Sequence, residues 1–268
     1  MIAILTALGI LNSSSTARYS FPLGTETKFN VKVQFDGYIP LFGGKNGKAD
    51  VDMVVRTVSV ESKRPDLQAV DSEITDLKAI AFGATLPLNK NNIGLFFPKA
   101  IAMFEASGTV KFNGAEHKDM PVKLPGMDSQ RLPEISYVPL VLDQLSIDAG
   151  KSYEFSRTFN GAVMKYKVTP GERDDRKERF QIEVSQDTRG FEDAYGNPAS
   201  EEGARSSLMT HLTGKGSATF NFEKQMFDKV VVETNGDTDV TNIKTGKTSK
   251  RSLKTTLTIV RDGAKVDE

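Results

Sequence analysis

The sequence predicts an α+β protein that is mainly antiparallel β: two related curved sheets, half-barrel-like, each with one short helix. Three observations carry that expectation. Apolar residues recur with a period of two along the chain. Glycine-bearing turns separate these runs at short intervals. Two stretches of the chain also start alike and keep their order. A period of two is the mark of a half-buried strand, and strands joined by short turns pair antiparallel.

The repeat sets the domain boundaries. Gly24 and Phe29 match Gly150 and Phe155 in spacing, and each strand then runs into an Asp-Gly or Asn-Gly turn, Asp36-Gly37 and Asn160-Gly161. Further on, Gly108 to Asn113 matches Gly216 to Asn221. Self-similarity in order points to a duplicated unit. The halves are residues 19–126 and 143–263, joined by 127–142, with a possible signal segment at 1–18 and a tail at 264–268.

Individual elements follow from local pattern. Phe29, Val31, Val33 and Phe35 alternate with Asn30, Lys32 and Gln34. Val51, Met53 and Val55 alternate with Asp50, Asp52 and Val54, and the phase then shifts to Val58 and Val60. That shift predicts a β-bulge near Arg56-Thr57. Leu67, Val70, Ile74 and Leu77 have helical spacing, but the repeat aligns them with the strand around Phe180, Ile182 and Val184, so a strand is preferred. Leu253, Thr255, Leu257 and Ile259 form the last strand. Turns are expected at Gly43 to Gly47, Asn113-Gly114, Asn160-Gly161 and Tyr195 to Pro198. A helix is expected from Ser200 to Leu212, with Ser200 as cap, Glu201 and Glu202 in its first turn and Gly214 as its stop. Its first-half counterpart is Asn89 to Phe97.

Composition excludes several functions. The 268 residues carry 35 basic and 35 acidic side chains, so there is no basic surplus for nucleic acid. Cysteine is absent, which removes disulfides, thiolate metal sites and a thiol nucleophile. The apolar run Ile2 to Leu11, followed by small residues up to Ala17 and then Arg18, is the pattern of a secretory signal, so export is expected. The run is shorter than the roughly 20 residues of a membrane span.

Catalytic and metal motifs are incomplete. His117 and His211 stand apart, without metalloprotease spacing. Thr245 to Thr248 imitates the end of a phosphate loop, but Thr241 stands where glycine is needed. Asn235 to Asp239 alternates oxygen ligands without the later glutamate of a calcium loop, and Asp187, Glu192, Asp193 and Asn197 form a second weak cation candidate. The balanced run Glu172 to Arg179 reads as a solvated hairpin tip. Lys244, Lys247, Lys250, Arg251 and Lys254 read as a protected strand edge, with a peripheral envelope contact as the functional alternative. No cofactor or metal is implied. The suggestive cluster is Ile93, Leu95, Phe96, Phe97, Met103 and Phe104, dense in adaptable apolar groups, expected either to pack a helix on a sheet or to line an apolar groove.

The possible exported start, the long alternating strands Lys28 to Phe35 and Phe180 to Val184, and the strand–helix–strand order around Asn89 to Phe97 resemble the bacterial lipoprotein-carrier superfamily (LolA/LolB-like half-barrels). The resemblance implies a curved antiparallel sheet covering an apolar hollow that takes acyl chains; the duplication departs from that pattern. The expectation is an exported, non-enzymatic protein that binds a lipid or other apolar ligand, with no nucleic-acid partner. Its rivals are a cell-surface β module acting through protein contacts and a hydrolase using paired carboxylates.

Overall fold

The computed structural model describes residues 16–39, 44–87, 93, 97, 99–115, 131–159, 162–194 and 199–264. Its strands are β1 (Glu26–Ile39), β2 (Lys45–Val60), β3 (Gln68–Ala81), β4 (Ala84–Thr85), β5 (Ala100–Phe104), β6 (Val110–Ala115), β7 (Tyr153–Phe159), β8 (Ala162–Arg173), β9 (Lys177–Glu192), β10 (Ser206–Asn221), β11 (Met226–Asn242) and β12 (Thr248–Arg261). They form one antiparallel sheet in the order β6-β5-β3-β2-β1-β12-β11-β10-β9-β8-β7, with β4 on β3. Two separate sheets were expected. One sheet results because β1 pairs with β12, from Phe29 opposite Arg261 to Gly37 opposite Leu253. Each half is a meander, and that single pairing joins them.

Other expectations are corrected locally. The segment 200–212 is not a helix: a single 3-10 turn spans Glu201–Gly203 and β10 begins at Ser206. Ala204, Leu208 and Leu212 are four apart, and a spacing of four returns to the same face of a strand as readily as of a helix. The bulge lies on β3 rather than at Arg56-Thr57. Register passes from Val54 opposite Asp76 to Val55 opposite Ile74, which leaves Thr75 as the extra residue. Asn113-Gly114 is part of β6, not a turn. Of the matched glycines, Gly24 and Gly150 both have positive φ (75° and 63°) just before β1 and β7, whereas Gly108 sits in a turn and Gly216 in mid-strand.

The sheet is strongly curled. On a flat sheet β5 and β10, six strands apart, would lie about 29 Å from each other. Yet Phe104 of β5 and Phe220 of β10 both touch Tyr19, with ring centroids 6.5 and 6.1 Å away. Tyr19 belongs to a strap, Ala17 to Phe21, whose alternate side chains are buried. Its backbone N–H donates to Ala106 O, its hydroxyl donates to Leu140 O at 2.8 Å, and Gln68 Nε2 donates to its carbonyl. The Ser20 N–H donates to Gln225 O in the β10–β11 turn. The strap therefore ties both halves to one end of the curl, called here the near end. Gly108 is required beside it: its φ is +86°, and a Cβ there would meet the Tyr19 ring and Leu140 O.

The connector completes the near end. Leu132, Ile135, Tyr137, Val138, Leu140 and Leu142 are buried against the sheet, partly from a π-helical turn at Pro133–Tyr137. Helix α1 (Gln144–Asp148) follows, with the Asp143 side chain accepting from the Ser146 N–H. Tyr137 packs against Phe21, Phe29 and Phe104. At the same end Arg261 donates from Nε to Asp228 at 3.1 Å, and both are buried, so the ion pair is held by hydrogen bonds rather than solvent.

If Tyr19 holds the curl, Tyr19→Ala lowers unfolding stability by about 3–5 kcal/mol, the range for truncating a buried ring. Tyr19→Phe costs about 1–2 kcal/mol, because the Leu140 carbonyl loses a buried donor. Urea unfolding of the two variants measures this, and an unchanged midpoint for Tyr19→Ala would remove the strap's role.

Candidate ligand-binding face

Away from the near end the inner face loses its cover. Rows of directly opposed inner residues can be followed across the strands. The first runs Val33, Leu257, Val232, Gly216, Ile182, Val168 from β1 to β8. The second runs Phe35, Thr255, Thr234, Gly214, Val184, Tyr166, and ends on Phe155 of β7. The third contains Leu253, Gly236, Leu212, Gln186 and Met164. The fourth contains Arg251, Thr238, Thr210 and Thr188.

The first row is buried at its flanks, but Val232 and Leu257 in the middle are only partly so. Phe35, Leu212, Phe155 and Tyr166 have the same status: packed against the core yet only partly covered. Gly214 and Gly216 make the floor bare. A Cβ at Gly216 would strike Val231 O and Val232 Cα, so β10 and β11 approach on this face more closely than any side chain allows.

Two arginines frame the face. Arg157 on β7 donates to Pro139 O at 2.8 Å and Val138 O at 3.0 Å, which pins the connector. Its guanidinium lies 5.4 and 5.8 Å from the Phe155 and Tyr166 rings, which stack 4.6 Å apart. Arg251 on β12 makes a bidentate pair with Glu192 on β9, at 2.7 and 2.9 Å. Two strands lie between them, so this pair closes the far end of the curl like a clasp. Tyr38 stacks against the same guanidinium at 4.3 Å. Between these frames, Thr210 and Thr238 share a hydroxyl hydrogen bond of 2.8 Å.

The outer face is of another kind. Glu154, Lys167, Glu183, Lys215 and Glu233 stand opposite one another on five neighbouring strands, alternating in sign. Lys167 reaches Glu183 at 3.5 Å, and Lys254 reaches Glu233 at 3.3 Å. They floor a shallow groove of about 1040 Å³. Such pairs add little stability, but each lysine would cost about 2–4 kcal/mol at a bilayer midplane. The outer face is thus built for water. Among the described residues, no helix is long and apolar enough to cross a membrane.

The residues singled out by sequence are dispersed. Ile93 and Phe97 lie in the core, and Phe104 is fully buried among Tyr19, Phe21 and Tyr137. Met103 is half-buried on the other side of β5, and Leu95 and Phe96 lie outside the described residues. The open inner face belongs to other residues, chiefly of the second half. His211 is on the exposed outer face of β10, with Nδ1 2.5 Å from Asp187, and His117 lies outside the described residues. Asp187 and Glu192 point to opposite faces of β9 and do not gather. Asn235 to Asp239 is ordinary β11 strand, and no metal-binding group occurs among the described residues. Thr245 to Lys247 is the β11–β12 turn, where Asn242 Oδ1 accepts from the Lys244 and Thr245 N–H groups. Glu172 to Arg179 spans the β8–β9 hairpin tip, where two backbone N–H donors hold the Asp174 carboxyl below the usual range.

No protein-family model matches the chain, and no curated protein matches it by sequence. Among solved structures it is similar to lipovitellin, from work on lipid–protein interactions in that protein, with a TM-score of 0.51 at 10% identity. The match covers 93% of this chain and 26% of the other, so the chain spans about a quarter of the length of that relative. It shows a common fold. Two substituted forms of the Rh. blastica porin align over 88% of this chain and 99% of theirs, at 7% and 10% identity, with TM-scores of 0.22 and 0.20, too low to carry an argument.

Two predictions follow from the frame. Arg251→Met strands a buried Glu192 and costs about 3–5 kcal/mol, most of it recovered by adding Glu192→Met; denaturant unfolding of both variants decides it, and equal stability of the single variant would mean that the clasp is idle. The second concerns Glu134, in the π-helical turn. Burial raises its carboxyl above the ordinary 4.5, against the pull of Arg157 and Arg131. The folded state then binds that proton more tightly than the unfolded state. Its stabilisation is full below 4.5 and is lost as pH rises through the higher folded value. Stability of the native protein therefore falls relative to Glu134→Gln as pH rises from 4.5; a gap independent of pH in parallel unfolding titrations contradicts this.

Proposed function

We propose that the protein is an exported, non-enzymatic binding protein that holds an apolar or acyl-chain ligand against the uncovered inner face of β8–β12 and β1. The observation that carries this reading is the group of partly exposed apolar residues Phe35, Leu212, Val232 and Leu257, spread over three neighbouring rows around the bare Gly214–Gly216 floor. Apolar surface that a monomer neither buries nor leaves scattered marks a contact site. The charged outer face supports the same assignment, because it leaves the inner face as the apolar side. The common fold with lipovitellin, from work on lipid–protein interactions, is in keeping with it. The runner-up is a cell-surface β module acting through protein contacts, favoured by the two sheet edges β6 and β7 and by Phe112, 47% exposed on β6.

The deciding experiment is native mass spectrometry of protein exported to a bacterial periplasm, with solvent extraction of anything bound. A lipid-sized mass on the native protein, lost in Leu212→Asp and Leu257→Asp variants of unchanged circular dichroism, is expected. A clean protein mass that takes up no added acyl probe would end the reading in favour of the contact module.

A further inference from the structure

We infer that the ligand of this face is a single-chain amphiphile with an uncharged, hydroxyl- or ester-bearing head, of the monoacylglycerol class, its chain on the Val232–Leu257 row and its head on the threonine row. The inference rests on the binding reading above and adds the chemistry of the head. From Leu257 to Arg251, six residues along β12 and about 20 Å at ordinary strand rise, the inner face passes from the aliphatic Val232–Leu257 row, through one row that holds Thr255 and Thr234 and one that holds Leu253 and Leu212, to a row that bears hydroxyls on three adjacent strands. The change is a row, not a single substitution. Thr188, Thr210 and Thr238 stand directly opposite one another on β9, β10 and β11, and Arg251 continues the row on β12.

The hydroxyls are arranged to receive a partner. Thr210 and Thr238 share one hydrogen bond at 2.8 Å. Two hydroxyls bring two donors and four acceptor positions, so that bond uses one of each and leaves one donor and several lone pairs on this half-buried row for an occupant of the face. Charge selects between heads. Arg251 spends its fork on Glu192, and Arg157 spends its own on the carbonyls of Val138 and Pro139. A carboxylate head would have to break the clasp or displace the connector, and in either case strand a desolvated group. A hydroxyl or ester head takes up the threonine hydroxyls and leaves both arginines as they are.

Titration calorimetry with 1-monooleoylglycerol and with oleate, both below their aggregation concentrations, tests this. Monooleoylglycerol is expected to bind, with oleate at least tenfold weaker. Thr210→Val with Thr238→Val removes the hydroxyls at nearly constant shape. It should weaken monooleoylglycerol about tenfold, the weight of a lost hydrogen bond, and leave oleate unchanged. Oleate binding as tightly as monooleoylglycerol, or a double variant that binds monooleoylglycerol like the native protein, would overturn the head-group inference while the binding face stands. Failure of both probes to bind the folded native protein would overturn the binding reading itself, and this inference with it.

Discussion

The architecture depends on one tyrosine crossing a curled sheet. Tyr19 touches rings on β5, β10 and β11 and hydrogen-bonds Leu140 in the connector, so four distant parts of the chain meet at one side chain. Burial pushes its phenol far above its usual range, so it remains a donor at every working pH. A twelve-stranded open sheet has no edge closure to hold its curvature. Here the strap and connector supply it from inside, at the near end alone.

That one-sided filling explains the division of the inner face. Where the strap and connector reach, Phe, Val and Ile side chains are covered and pack as an ordinary core. Beyond them the curl is kept by the Arg251–Glu192 clasp and by the close approach of β10 and β11 at Gly216, neither of which fills space. Apolar groups therefore remain uncovered in the middle of the face without any break in the strands. The outer face needs no such device, because its cross-strand charges are solvated.

Strand identity was legible because alternation is local: Phe29 to Phe35, Phe180 to Val184 and Leu253 to Ile259 lie in strands with those residues inward. The pairing of β1 with β12 was not, since it joins residues far apart in sequence and no turn announces it. The helix expected at 200–212 does not form: Leu208 and Leu212 satisfy both periods, and the β-branched Thr210 and Thr213 favour the strand. The apolar cluster around Phe97 and Phe104 was legible as packing, but its density alone does not distinguish core from groove. The clasp was missed, although a signal existed. Glu192 falls in phase with Phe180, Ile182 and Val184, and a carboxylate on the apolar face of a strand implies a buried cation. The threonine row has no such mark, because it exists only once three strands are in register.

The β1–β12 seam has a consequence for how the chain reaches this state. Strand β1 is made early and pairs with β2, which follows it closely in sequence, but its other edge stays unpaired until β12 has been synthesised. A contact of such long sequence separation closes late and slows folding. Throughout that interval the nascent first meander presents Phe29, Val31 and Val33 beside a bare edge, a surface that invites pairing with a neighbouring chain. The seam that unifies the sheet is thus also its period of greatest vulnerability, and it makes the carboxy-terminal hairpin the step that commits the protein to its native form.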